Sequence, residues 1–111
     1  MDTFKTRSGK TVTITPIKHG SMEINFDGTV IQVDPVTDGP PPLTDYTEWP
    51  KADLIIFTHD HYDHFDLKAV EQLCKETTEI VTNAETAKQL PKSHVLSNGD
   101  ILDICGIRLY A

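Results

Sequence analysis

Four consecutive apolar residues, Leu54-Ile55-Ile56-Phe57, run almost directly into a segment that carries His59, His61, Asp63 and His64. This junction limits the fold more than any other feature. An apolar run without alternation reads as a strand covered on both faces, so layers must pack above and below it. After the histidines, Asp66 is a suitable N-cap, and Leu67, Val70, Leu73 and Cys74 recur at helical spacing. A buried strand, a polar loop and an amphipathic helix in succession put the loop at the rim of a sheet. There a rigid strand end can hold its side chains.

The residues ahead of this junction read as an antiparallel meander. Val12 and Ile14 alternate with Thr11, Thr13 and Thr15, and Met22, Ile24 and Phe26 alternate with Ser21, Glu23 and Asn25. Asp27-Gly28 is a two-residue hairpin turn, and residues 29–33 form the returning strand. Asp34-Pro35 ends that strand, and Gly39-Pro40-Pro41-Pro42 forbids both helix and ladder pairing. Residues 34–50 are therefore a long surface loop, in which Tyr46 and Trp49 either line a pocket or cap the core. Beyond the helix, residues 79–82 form a short strand, and a second helix starts at Asn83 and stops before Pro91. His94 then falls in an exposed loop. A hairpin of residues 101–104 and 107–110 turns at Cys105-Gly106. The fold class is α+β, with one domain over residues 1–111.

Composition narrows the function. The formal net charge is −7 with Arg7 and Arg108 the only arginines, which argues against nucleic-acid binding, because that requires a basic surface. No stretch nears the roughly 20 apolar residues that cross a membrane, and residues 1–10 lack the apolar core of a signal peptide. Cys74 and Cys105 show no CxxC spacing and read as small buried hydrophobes in a reducing compartment, so a cytoplasmic protein is expected.

Three imidazoles and a carboxylate suit zinc first, with manganese or iron as alternatives. In extended chain His59 and His61 point to the same side and can grip one ion. Asp63 and His64 follow once the chain has turned, and can face a second. Two ions so placed share a hydroxide and clamp an oxyanion. The bland alternative is a surface loop that picks up metal incidentally.

The segment Thr58-His59-Asp60-His61-Tyr62-Asp63-His64 resembles the HxHxDH motif of the metallo-β-lactamase superfamily. Val33-Asp34-Pro35 and His19-Gly20-Ser21 resemble the branch related to L-ascorbate-6-phosphate lactonase. The resemblance implies an αββα sandwich, of which this chain would be the N-terminal half: the meander, then strand-loop-helix. It implies His59 and His61 as ligands of a first metal ion, and Asp63 and His64 as ligands of a second. Asp63 would also orient the attacking water, and Asp34 would support the ligand loop from behind. His19 joins Asp34 in that role, faces the substrate, or is a structural histidine. The implied activity is metal-dependent hydrolysis, in which a metal-bound hydroxide attacks an ester, lactone, amide or phosphoester of a small-molecule substrate. Members of the family complete the site with a third histidine, a bridging aspartate and a final histidine from a second half. After His64 this chain has only His94. A non-catalytic metal-binding half-domain or interaction module is therefore the alternative, and an iron-dependent redox protein a third reading. An apolar strand at the end of the chain leads us to expect self-association through an unfinished sheet.

Overall fold

The alternation ahead of Asp34 becomes four antiparallel strands in the computed structural model, which describes residues 2–7, 9–18, 21–35, 46, 49–57, 67–82, 93–97, 99–105 and 107–110. These strands are β1 (Asp2–Lys5), β2 (Thr11–Lys18), β3 (Ser21–Phe26) and β4 (Thr29–Val33). Between β3 and β4, Asp27 and Gly28 both take positive φ, 51° and 96°. That is the geometry a tight hairpin turn needs. The Asn25 side chain accepts the Gly28 N–H at 2.9 Å and closes the turn. Strand β1 was not legible in the sequence. It has a single apolar residue, Phe4, between polar ones, and forms because β2 offers it a ladder from Asp2↔Ile14 to Lys5↔Thr11. Pro16 lies in β2 past the end of β1, and the register shifts between Pro16 and Lys18.

After β4 the pairing changes from antiparallel to parallel. β4 pairs with β5 (Leu54–Ile56), β5 with β6 (Glu79–Thr82), and β6 with β7 (His94–Val95). The seven strands stand in chain order across one sheet. Helix α1 (Leu67–Leu73) connects β5 to β6, as parallel neighbours require. His94 belongs to β7 and not to a loop, because it pairs with Val81, although its side chain is exposed as expected. The N-cap expected at Asp66 and the second helix expected from Asn83 lie outside the described residues.

The apolar run is covered on both sides, as its lack of alternation requires. On one face Ile55 and Phe57 pack with Ala69, Val70 and Leu73 of α1. On the other, Leu54, Ile31 and Val81 pack with Ile104 from a separate two-stranded sheet of β8 (Ile101–Ile104) and β9 (Ile107–Tyr110). Helix, large sheet and small sheet give three layers in the order α, β, β. The α+β reading thus holds coarsely, but the described residues are mostly strand, with one helix of seven residues. The open choice at Tyr46 and Trp49 falls to the core. Tyr46 is fully buried in the α1-side cluster, and Trp49 packs against it with ring centroids 5.9 Å apart. One expectation is corrected: Cys105 is exposed, not buried, because it occupies the β8–β9 turn with a φ of 53°. No helix among the described residues is long and apolar enough to cross a membrane.

Candidate metal centre

The parallel registers align the carboxyl ends of three strands. Val33 pairs with Ile56, and Ile56 with Val81. The next residues, Asp34, Phe57 and Thr82, therefore form a row at one edge of the sheet. Backbone hydrogen bonds stitch this row together: Asp34 N–H donates to the Ile56 carbonyl at 2.8 Å, and Phe57 N–H to the Val81 carbonyl at 2.9 Å. Phe57 is the last described residue before residues 58–66, and α1 begins at Leu67. The segment with His59, His61, Asp63 and His64 thus leaves from the carboxyl edge of β5 and returns at the start of α1. These four residues, and His19, lie outside the described residues. In open sheets with parallel strands, ligands characteristically bind beyond the carboxyl ends.

Asp34 is described, and its setting fits a supporting role. It is 3% exposed and holds a left-handed backbone, φ 46°. Aspartate tolerates that conformation better than most residues. Two neighbours hold it there, the Ile56 carbonyl on its N–H and the hydroxyl of buried Ser21, which donates to its carbonyl. A non-glycine residue in this conformation persists where its surroundings over-determine it, which is common at functional sites.

Sequence reasoning gave no role to three buried polar residues at or near this edge. Ser21 is one. The others are Gln32 and Thr82, whose Oε1 and Oγ1 atoms are buried without a hydrogen-bond partner among the described residues. Each such atom costs about 1–3 kcal/mol, and native proteins hold few of them. The Gln32 amide does use its other end: Nε2 donates to Oε2 of Glu23 at 3.1 Å. Half-burial pushes the Glu23 carboxyl up from its ordinary range, and the bond from Gln32 opposes that shift. A signal for Gln32 existed, since it is the one polar residue inside the apolar stretch Val30-Ile31-Gln32-Val33. Thr82 carried none, because threonine is an ordinary strand residue.

Among the described residues, no group of three histidine, cysteine, aspartate or glutamate side chains could hold a metal ion. The fit to a metal therefore rests on donor chemistry and position. Three imidazoles and a carboxylate within residues 59–64 are nitrogen and oxygen donors of the kind that suits zinc, manganese or iron.

The fold and the motif together define a class: a mixed sheet with a histidine-rich segment that follows the carboxyl end of a buried parallel strand. The family model described as "Beta-lactamase superfamily domain" matches residues 29–109. The chain belongs to that superfamily. A protein of Parabacteroides distasonis, named as a metal-dependent hydrolase and solved by crystallography, superposes with a TM-score of 0.86 at 49% identity. The match covers 94% of this chain and 46% of that one. A metallo hydrolase of Ignicoccus hospitalis shares the fold with a TM-score of 0.69 at 24% identity, over 84% of this chain and 42% of that one. Among curated sequences, a UPF0173 metal-dependent hydrolase of Methanopyrus kandleri is 36% identical over 64 residues, which is 58% of this chain and 27% of the relative. The chain thus spans less than half the length of these relatives.

Proposed function

We propose that this chain carries the metal-binding half of a hydrolase site, with His59, His61, Asp63 and His64 as the ligands. The observation that carries the reading is the junction of β5, residues 58–66 and α1 at the carboxyl edge, in a chain that belongs to this superfamily. His59 and His61 hold one ion. Asp63 and His64 hold a second, or complete the first. A bound divalent cation, zinc before manganese or iron, supplies Lewis acidity and a nucleophilic water at neutral pH.

The chain's own residues do the rest. The buried β5 fixes where the segment begins, and α1 fixes where it returns. Asp34, pinned by Ser21 and Ile56, backs the ligand segment from β4. Asp63 orients the attacking water toward an ester, lactone, amide or phosphoester of a small molecule. Zinc prefers four ligands, so four donors saturate one ion or leave two ions open to further ligands and substrate.

The test measures bound metal in purified protein by inductively coupled plasma mass spectrometry, beside hydrolysis of a lactone and phosphodiester panel. His61→Ala should lose most of the metal, and metal-loaded wild type should turn over at least one member of the panel. Unchanged metal content in His61→Ala would sink the ligand assignment. Metal binding with no turnover across the panel would favour a non-catalytic metal-binding half-domain.

A further inference from the structure

The outermost described strand of the large sheet, β1, belongs to a stretch whose charge is opposite to that of the chain. Residues 1–18 carry four of the ten lysines and arginines (Lys5, Arg7, Lys10 and Lys18) against one of the seventeen acids, Asp2, in a chain of net charge −7. Lys5, Arg7 and Lys10 are exposed. The ion pairs among the described residues join Asp53 to Lys75, Glu79 to His94 and Asp103 to Arg108, and none lies in the β1–β2 hairpin. Strand β1 stands first in the order of the sheet and pairs only with β2 among the described residues, so its outer edge has no ladder.

Phe4 sits within that edge strand and is 55% exposed. It is in register with Val12, and Val12 with Phe26. Cross-strand partners share a face, and Phe26 packs against the cluster that Ile104 of β8 helps to form. Phe4, Val12 and Phe26 are thus an apolar row that begins beside the small sheet and ends in the open at Phe4. Alternation sends Thr3 and Lys5 to the other face.

Lysine on an edge strand can serve only to keep other strands away. That reading accounts for Lys5 but not for Phe4, a large apolar side chain left open on the same edge. A strand that brings carboxylates to Lys5 and an apolar side chain to Phe4 suits both. A second copy of this chain does not, because pairing β1 with itself joins two positively charged edges.

We propose that β1 is the docking edge for an extended acidic segment of another protein, one in which acidic and apolar residues alternate. The segment adds to the sheet beyond β1, and its backbone takes up the free ladder positions. Its apolar side chains lie on the face of Phe4 and its carboxylates on the face of Lys5, while Arg7 and Lys10 add to the positive field. Three strands separate β1 from β5, so this inference is independent of the metal-site reading.

The experiment titrates the whole chain into a fluorescein-labelled octapeptide of alternating glutamate and valine, read by fluorescence anisotropy. The controls are a lysine–valine octapeptide and a glutamate–valine octapeptide of shuffled order. The alternating acidic peptide should bind, each control should bind about fivefold more weakly or worse, and added salt should weaken binding. Phe4→Thr and Lys5→Glu should each weaken it about fivefold with Tm near wild type. Bound peptide should slow hydrogen exchange in residues 2–5. If Phe4→Thr lowers Tm, Lys5→Glu decides alone. No binding of the acidic peptide, equal binding of either control, or unchanged exchange in β1 overturns the proposal. Tighter binding to phosphatidylserine vesicles than to the peptide also overturns it and assigns the basic edge to a lipid surface. A dimer that the peptide dissociates would give the edge to a second copy, with the same consequence.

Discussion

The two ends of the same parallel strands are built differently. At the amino end, Asp53 accepts the Val30 N–H at 2.8 Å with one carboxylate oxygen and the Lys75 ammonium at 2.5 Å with the other. The backbone of Asp53 bonds to β4 and β6 as well, through the Val30 carbonyl and the Glu79 N–H. The Thr78 hydroxyl donates to the Ala52 carbonyl at 2.7 Å and accepts the Lys75 N–H at 2.8 Å. Polar groups here close on one another. At the carboxyl end, Asp34 holds a left-handed backbone, and the buried Gln32 and Thr82 each keep an atom with no partner among the described residues. The first pattern suits an end whose task is to join strands and helix. The second suits an end that receives something, because local rules are broken where function is placed and compensated elsewhere.

Threonine substitutions probe the difference most sharply. Thr78→Val removes a hydroxyl that makes two hydrogen bonds and leaves the Ala52 carbonyl and Lys75 N–H unmet. We expect a loss of about 2 kcal/mol, read by urea unfolding. A loss below the error of the measurement would mean that the amino end is not the stabilising one.

Asp34 separates conformation from chemistry at the other end. Asp34→Ala puts a Cβ residue without a polar side chain at φ 46° and should cost about 1–2 kcal/mol. Asparagine tolerates the left-handed region, so Asp34→Asn should unfold almost like wild type. If Asp34 backs the ligands, Asp34→Asn should still bind zinc more weakly. Wild-type zinc affinity in Asp34→Asn would reduce the residue to a turn former.

Much of this contrast was invisible in the sequence, for identifiable reasons. Alternation located β2 and β3, and the Asp27-Gly28 turn located β4 as the returning strand, although β4 is buried at three consecutive positions. The unbroken run Leu54-Ile55-Ile56-Phe57 correctly demanded layers on both sides. Strand β1 and the two-residue β7 escaped, because their formation depends on a neighbouring ladder and not on their own residues. At the site, the superfamily was legible through the resemblance of residues 58–64 to its motif. The settings of Thr82 and Ser21 were not legible, and the one sign at Gln32 was a polar residue inside an apolar stretch. What distinguishes all three is a hydrogen bond made or missing after strands distant in sequence have come together.

Asp53 ties the amino end to pH. The Lys75 ammonium, and then the Val30 N–H, hold its carboxyl below the usual carboxylate range. A depressed folded pKa contributes stability that is present above the unfolded value and is lost as pH falls through the folded one. The Asp53–Lys75 pair is partly exposed, so screening keeps its contribution small. We expect Asp53→Ala to cost about 1 kcal/mol at neutral pH, with the gap to wild type closing below about pH 4. A gap that persists into acid would assign the effect to packing.

The smallest expected effect on stability belongs to Thr82→Val, the same exchange as at position 78. It removes an atom with no partner among the described residues and keeps the shape of the side chain. Metal-free protein should therefore unfold within about 0.5 kcal/mol of wild type, or slightly later. The contrast between the two threonines is what matters. If Thr82→Val destabilises as much as Thr78→Val, its hydroxyl is already satisfied in the folded chain, and the two ends are alike. If only Thr78→Val destabilises, the amino end holds the strands together and the carboxyl end keeps a hydrogen bond in reserve for what binds there.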